Sequence, residues 1–282
     1  MADLVNRKCV LIERPNGRPE PSQFEIVEEP LGPPPEGAAR IAVEHLSIDP
    51  FIRAALNPGS AHPPVTLGAM LPALGVGRVI ESNCEGLKAG DSVCGTVMAQ
   101  THATLPAMMV DVVDDSDVPL RTYLGVLGST AGLTAYFGIL DVGAVKEGDV
   151  VLMSAAAGAV GSIAGQIAKI KGAHVIGIAG GPEKVRFVCD ELGFDACIDY
   201  KSEDVAARLG ELAPQGVDLY FDNVGGEILD IALDHIANEG RVALCGAMTQ
   251  YDHIDEGIEH LPQTLLRLFD GSHIGKLMLK VG

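Results

Sequence analysis

The stretch Val150-Val151-Leu152-Met153-Ser154-Ala155-Ala156-Ala157-Gly158-Ala159-Val160-Gly161, running on into Ser162-Ile163-Ala164-Gly165-Gln166-Ile167-Ala168-Lys169, decides the fold. Its apolar start reads as a buried strand, its tiny residues as a tight turn, and the run after Gly158 as the start of a helix. Such a turn aims backbone N–H groups and the positive end of a helix dipole at one point, which suits the pyrophosphate of a dinucleotide. Ala156 stands where the common fingerprint has its first glycine, leaving Ala156-x-Gly158-x-x-Gly161 with Ala159 and Val160 between. A small-residue helix packed on a sheet without a ligand would show the same letters. The second apolar strand, His174-Val175-Ile176-Gly177-Ile178-Ala179, favours the binding site, because it closes a βαβ unit of the usual length.

The residues after that strand bear on which dinucleotide fits. A site for NAD places Asp or Glu there to accept from the ribose hydroxyls, whereas this chain continues Gly180-Gly181-Pro182-Glu183-Lys184-Val185-Arg186. A small residue at 180 leaves room for a 2′-phosphate, and Lys184 can approach it as a point charge, so NADP(H) is expected. Glu183 suits the helix dipole instead. The plain alternative is that Lys184 and Arg186 form a solvated helix face.

Composition narrows the class. The 282 residues are 47% hydrophobic and carry a formal net charge of −18, enough chain for two cores and the wrong sign for nucleic acid or an anionic membrane. An anionic cofactor must then be drawn in locally, with Lys169, Lys184 and Arg53 as candidates. No run of apolar residues reaches membrane-spanning length and the start, Met1-Ala2-Asp3-Leu4-Val5-Asn6-Arg7, has no signal-peptide core, so a cytoplasmic enzyme is expected. Cys9, Cys84, Cys94, Cys189, Cys197 and Cys245 form no Cys-x-x-Cys pair and read as reduced core thiols. His45, His62, His102 and His174 lack ligand spacing, so no metal site is expected.

Two textures divide the chain. From Lys8 to Val113, short strands such as 9–12, 24–27, 39–45 and 75–80 alternate with Pro/Gly turns, which predicts a β-rich, barrel-like domain. After Leu120, strands at 150–154, 174–179, 196–200, 217–222 and 241–245 alternate with helices at 159–171, 183–192, 203–212 and 226–237, the pattern of a doubly wound parallel sheet. Residues 128–140 read as the helix leading into it. Beyond Tyr251 stand a polar stretch, a helix at 262–269 and a last strand at 276–281, and no sixth strand is available.

Several segments together resemble the zinc-independent medium-chain dehydrogenase/reductases, most closely the branch of prostaglandin reductases and NADP-dependent alkenal double-bond reductases. They are Asp49-Pro50-Phe51-Ile52-Arg53, Gly132-Leu133-Thr134-Ala135-Tyr136-Phe137-Gly138, the run at 155–162, Gly180 to Lys184, Asp199-Tyr200-Lys201, Tyr220-Phe221-Asp222-Asn223-Val224-Gly225-Gly226-Glu227 and Leu244-Cys245-Gly246-Ala247-Met248-Thr249-Gln250-Tyr251. The resemblance implies a GroES-like β-rich domain (1–122), a Rossmann domain binding NADP(H) in the cleft (123–251) and a segment returning to the first domain (252–282). It implies contacts of Lys184 and Tyr200 with the 2′-phosphate and of Asn223 with the pyrophosphate and ribose. Thr134 and Cys245 are implied on the cofactor side, Asp49 and Arg53 on the substrate side, and Tyr251 at the nicotinamide ribose as the catalytic hydroxyl. On their residues alone, Asn223 could cap the next helix and Tyr200 could be packing.

The implied reaction is NADPH-dependent reduction of the C=C bond of an enone or alkenal, with a small-molecule substrate and a homodimer left open. A quinone reductase and a non-catalytic NADPH-binding protein are the alternatives; Gln250-Tyr251 speaks against the first. Three departures from the family stand out. The sixth strand and its neighbouring helices are replaced by Asp252 to Leu261, which means a shortened domain or residues lacking from the sequence as it stands; the good match of both flanks favours the latter. A smaller gap is expected near Gly95 to Gln100, and His273 stands where the family often has Asn.

Overall fold

The computed structural model describes residues 4–16, 18–58, 63–246, 254–256 and 278–281. They fall into two compact units that part between Gly125 and Val126. In the first, β1 (Val5–Leu11) and β2 (Phe24–Pro30) form an antiparallel pair. The remaining strands are β3 (Ala39–Ser47), β4 (Leu74–Ser82), β5 (Ser92–Thr96), β6 (His102–Leu105) and β7 (Val110–Val112), with helix α1 at Pro50–Ala55. β3 is the centre of this unit. It pairs antiparallel with β4 and, through Ala39–Ala42, with β6, and two register shifts against β4 bend it. Ile41, Leu46, Ile48, Ile52, Leu71 and Val76 are fully buried around it.

In the second unit β8 (Val150–Met153), β9 (His174–Ala179), β10 (Ala196–Asp199), β11 (Val217–Asp222) and β12 (Ile236–Leu244) form one parallel sheet in the order β10-β9-β8-β11-β12. Alternation along each strand feeds two cores. Val151, Met153, Val175, Leu219 and Phe221 pack with Ala135, Ile139, Ala164 and Ala168. Their neighbours Leu152, Ile176, Ile178, Ile198 and Tyr220 pack with Val205, Leu209 and Ala232 on the other face. Both faces being covered, the strands read as continuous apolar runs, and the doubly wound expectation holds.

Helix α2 (Thr134–Phe137) is flanked by π-type turns at Ser129–Leu133 and Gly138–Val142, where N–H groups reach back five residues. The sheet helices are α3 (Ala159–Ile170), α4 (Pro182–Arg186, continued by a π-type turn to Glu191), α5 (Val205–Leu212) and α6 (Gly226–Asp234). One strand departs from expectation. β12 begins at Ile236 rather than 241, because Glu239 adopts φ 65° and the register with β11 shifts between Val217 and Leu219. A bulge of this kind leaves no periodic trace in sequence.

The last strands, β13 (Ile254–Glu256) and β14 (Met278–Lys280), belong to the first unit, β14 running antiparallel to the Ser47 end of β3. The helix expected at 262–269 lies outside the described residues.

Candidate functional site at the carboxyl edge of the parallel sheet

Strand order reverses at β8, with β9 on one side and β11 on the other, and ligands of such sheets bind beyond the strand ends at that switch point. β8 stops at Met153 because Ser154–Ala157 make the turn. Ala155 is left-handed at φ 47°, an uncommon conformation for alanine, and its carbonyl accepts from Gly158 N–H at 2.8 Å. Ala156 is fully buried and donates its N–H to Ile178 O at 3.1 Å, which ties the turn to β9. The first intrahelical bond of α3 runs from Ser162 N–H to Gly158 O. The N–H groups of Ala159, Val160 and Gly161 come before it and point out of the helix start.

Gly161 explains the close seat of that helix. A Cβ there would lie 2.4 Å from Ala155 O. The backbone of the turn and the backbone of α3 therefore touch, and the helix start lies against the strand end where a pyrophosphate would sit. The local residues fit the adenosine-phosphate side of a dinucleotide.

Beside the turn opens a cavity of about 250 Å³. Ser154, Ala155, Ala157 and Gly158 form one wall, the β9 end (Ile178, Ala179, Gly180) with Lys184 and Tyr200 another, and Val224 and Ile228 a third. Of the residues expected on the cofactor side, Gly158, Gly180, Lys184 and Tyr200 line it together. Ala156, Ala159, Val160, Gly161, Asn223, Cys245 and Thr134 do not line it, although all but Thr134 stand in or beside the turn and strand ends that frame it.

Position 180 works differently from the simple idea of leaving room. A Cβ on Gly180 would lie 2.7 Å from Tyr200 Cε1 and 2.9 Å from Lys201 Cε, so the space is already taken by those two side chains. Glycine lets them close in.

Two carboxylates fix the loops. Asp199, at the end of β10, accepts from Gly181 N–H at 2.7 Å, Lys201 N–H at 3.0 Å and Ser202 Oγ at 3.0 Å. Burial opposes its ionisation, but those donors hold it below the usual aspartate range. Asp222, at the end of β11, accepts from Ser154 Oγ, Tyr220 Oη and the N–H groups of Val224 and Gly225. Burial, together with this carboxylate, raises the Tyr220 phenol well above its ordinary range. Asn223 donates its backbone N–H to Ser154 Oγ and its amide to Ser154 O, each at 2.8 Å, while α6 is capped by Gly225. Burial, with Asp222 second, pushes the Cys245 thiol up to about 11.

Comparison with known proteins follows the same outline. Residues 7–113 match the family model described as the N-terminal domain of oxidoreductase, and residues 159–270 match the model described as zinc-binding dehydrogenase. The chain is 38% identical over 262 residues to the NADPH-dependent curcumin reductase of Escherichia coli (strain K12), covering 91% of this chain and 75% of that one. It is 37% identical over 270 residues to the NADP(+)-dependent 2-alkenal reductase of Nicotiana tabacum, covering 93% and 78%. The crystal structure of CurA in complex with NADPH from Vibrio vulnificus superposes with a TM-score of 0.91 at 29% identity, covering 98% of this chain and 99% of that one. This chain is a zinc-independent medium-chain dehydrogenase/reductase. Within that family it belongs to the branch of NADP-dependent alkenal and enone reductases. The metal in the second model's description has no counterpart in the described residues, where no three His, Cys, Asp or Glu side chains gather to hold an ion.

The other expected residues lie elsewhere. Lys169 does not serve the cofactor: its ammonium pairs with both oxygens of Asp195 at 2.8 Å, next to the amino end of β9. In the first unit of this reductase, Asp49 stands at the N-cap position of α1 without a side-chain capping bond; it is buried and accepts from Ser47 Oγ, and Arg53 sits in the last turn of the same helix. Tyr251 and His273 lie outside the described residues. Sequence reasoning missed Asp199 as the tie between the two loops and Lys201 beside Gly180; the Asp-Tyr-Lys triplet at a strand end was the available signal. All six cysteines are free thiols, and no helix among the described residues is long and apolar enough to cross a membrane.

Proposed function

We propose that this protein reduces the C=C bond of α,β-unsaturated ketones and aldehydes with NADPH as the reductant and without a metal. The observation that carries the reading is the strand end at Gly180, where Lys184 and Tyr200 replace an acid, in a chain so similar to NADPH-dependent reductases. When bound, NADPH would supply the hydride for the β-carbon, and the α-carbon proton would come from solvent. The start of α3 holds the pyrophosphate through the N–H groups of Ala159, Val160 and Gly161. Lys184 and Tyr200 hold the 2′-phosphate, and Asn223, Cys245 and Thr134 frame the remainder of the cofactor. Tyr251 donates its hydroxyl towards the developing enolate oxygen. Asp49 and Arg53 serve the substrate side.

In this reading residues 1–122 carry the substrate side, 123–251 bind the cofactor and 252–282 return to the first domain. The compartment is the cytoplasm, which keeps thiols such as these six reduced.

The test is steady-state reduction of a simple enone with each nicotinamide cofactor, with the product analysed. We expect a saturated carbonyl and a kcat/KM with NADPH at least about tenfold above that with NADH, the worth of one charge-assisted contact. An allylic alcohol as product, or no cofactor preference, would overturn the reading. Dialysis against a strong chelator should leave the rate unchanged, and a loss restored by zinc would refute the metal-free mechanism.

A further inference from the structure

The structure assigns Lys201 as a second cation for the 2′-phosphate of the cofactor, a determinant of NADPH over NADH that acts beside Lys184. The inference rests on the NADPH reading above and deepens it.

Three observations carry it. The first is position: Lys201 Cε lies 2.9 Å from where a Gly180 Cβ would stand, so the lysine stem packs against Gly180, which lines the cavity, without lining the cavity itself. Its ammonium is one bond further on, at the end of β9 that a carboxylate would occupy in an NAD site. The second is orientation. The backbone N–H of Lys201 donates to Asp199, and the same carboxylate accepts from Gly181 N–H, so the loop after β9 and the loop after β10 are held as one piece. Tyr200 and Lys201 therefore do not depend on a ligand to bring them to Gly180.

The third is charge. Asp199 stands at this corner, and its carboxylate would repel a phosphate if it faced the cavity. It is 7% exposed and is occupied by three donors, with Lys201 contributing a further favourable charge. Its pKa is lowered, so it is ionised at neutral pH and keeps those donors. In a chain of net charge −18, a second local cation favours the approach of a phosphate dianion, and Lys184 comes from α4 whereas Lys201 comes from the turn after β10. Lys201 itself is exposed, so its ammonium remains hydrated until an anion arrives.

The experiment compares Lys201→Met, Lys201→Arg and Lys184→Met with wild type by fluorescence titration of NADPH and NADH, and by competition with 2′,5′-ADP and 5′-ADP. For Lys201→Met we expect NADPH and 2′,5′-ADP to weaken about threefold to tenfold, with NADH and 5′-ADP unchanged within twofold, as suits one solvent-accessible charged contact. Lys201→Arg should restore most of the loss. Wild type that binds 2′,5′-ADP no more tightly than 5′-ADP would overturn the NADPH reading itself. Wild type that discriminates, with Lys201→Met discriminating equally, would overturn only the role of Lys201. Equal weakening of all four ligands would show that Lys201 merely supports the loop, which also refutes the assignment.

Discussion

Replacing Gly161 with alanine tests the geometry on which the whole cofactor reading stands. The added Cβ would lie 2.4 Å from Ala155 O and 3.1 Å from both Ala155 C and Ala156 Cα. All three are backbone atoms of the turn, so no side chain can swing away. To reach ordinary contact, α3 has to lift from the turn by about 1 Å, an overpacking strain of roughly 1–3 kcal/mol. Alanine's better helix propensity returns up to about 1 kcal/mol. We therefore expect a net loss of up to about 2 kcal/mol in urea unfolding of the cofactor-free protein. The same lift carries the N–H groups of Ala159 and Val160 away from the strand end, so NADPH affinity should fall by at least about tenfold, since misplacement by an ångström is costly at a preorganised site. Urea titration gives the first quantity and fluorescence titration of NADPH the second. A variant as stable as wild type that binds NADPH equally well would refute the claim that α3 bears directly on the turn.

Two further perturbations address the chemistry and the acid stability. Tyr251→Phe should lower kcat by roughly tenfold to a hundredfold, about 1.4–2.7 kcal/mol of transition-state stabilisation, with NADPH affinity within a few fold; an unchanged kcat with weaker cofactor binding would make Tyr251 a binding residue only. Asp195 is held below the usual aspartate range: burial opposes this, but Lys169, the Val175 N–H and His174 outweigh it. A depressed folded pKa gives stability that is present above the unfolded value, about 3.9, and lost as pH falls through the folded one. Asp195→Asn should thus be less stable at neutral pH by a margin that narrows below about pH 4, and a margin that stays constant with pH would refute the ion pair's contribution.

The parallel sheet was legible because both of its faces are covered, which leaves strands such as Val150–Met153 and His174–Ala179 as unbroken apolar runs between small-residue turns. The antiparallel half was less so. β5, β6 and β7 are short and mix polar residues such as Ser92, His102 and Asp111 into their pattern, and only the pairing of β5 with β4, of β6 with β3 and of β7 with β5 makes them strands. Within the site, Lys184 was suggested by where a strand ends, whereas Tyr200 came from the resemblance alone. The role of Lys201 came from neither, because it depends on one carboxylate joining residues 181 and 199, eighteen positions apart, in a contact that no local pattern encodes. Lys169 was misjudged for the same reason: its partner Asp195 lies on the next loop of the sheet.

The two aspartates at the strand ends decide what kind of ligand the edge can accept. Backbone N–H groups in the loops after β9 and β11 would by themselves form several competing anion sites. Asp199 takes the N–H groups of Gly181 and Lys201, and Asp222 takes those of Val224 and Gly225. Those loops are thereby filled with the protein's own negative charge. The start of α3 has no such internal carboxylate among the described residues, so its N–H groups face an incoming anion, and in the proposed reading the ammonium groups of Lys184 and Lys201 meet a second one. They lie at two separate points, the α3 start for a diphosphate and the Gly180 corner for a phosphate monoester. A ligand carrying both groups is held at two points of a rigid edge, and one lacking the second loses the Gly180 corner while keeping the α3 start. On the proposed reading, that is the physical form a preference for NADPH over NADH takes.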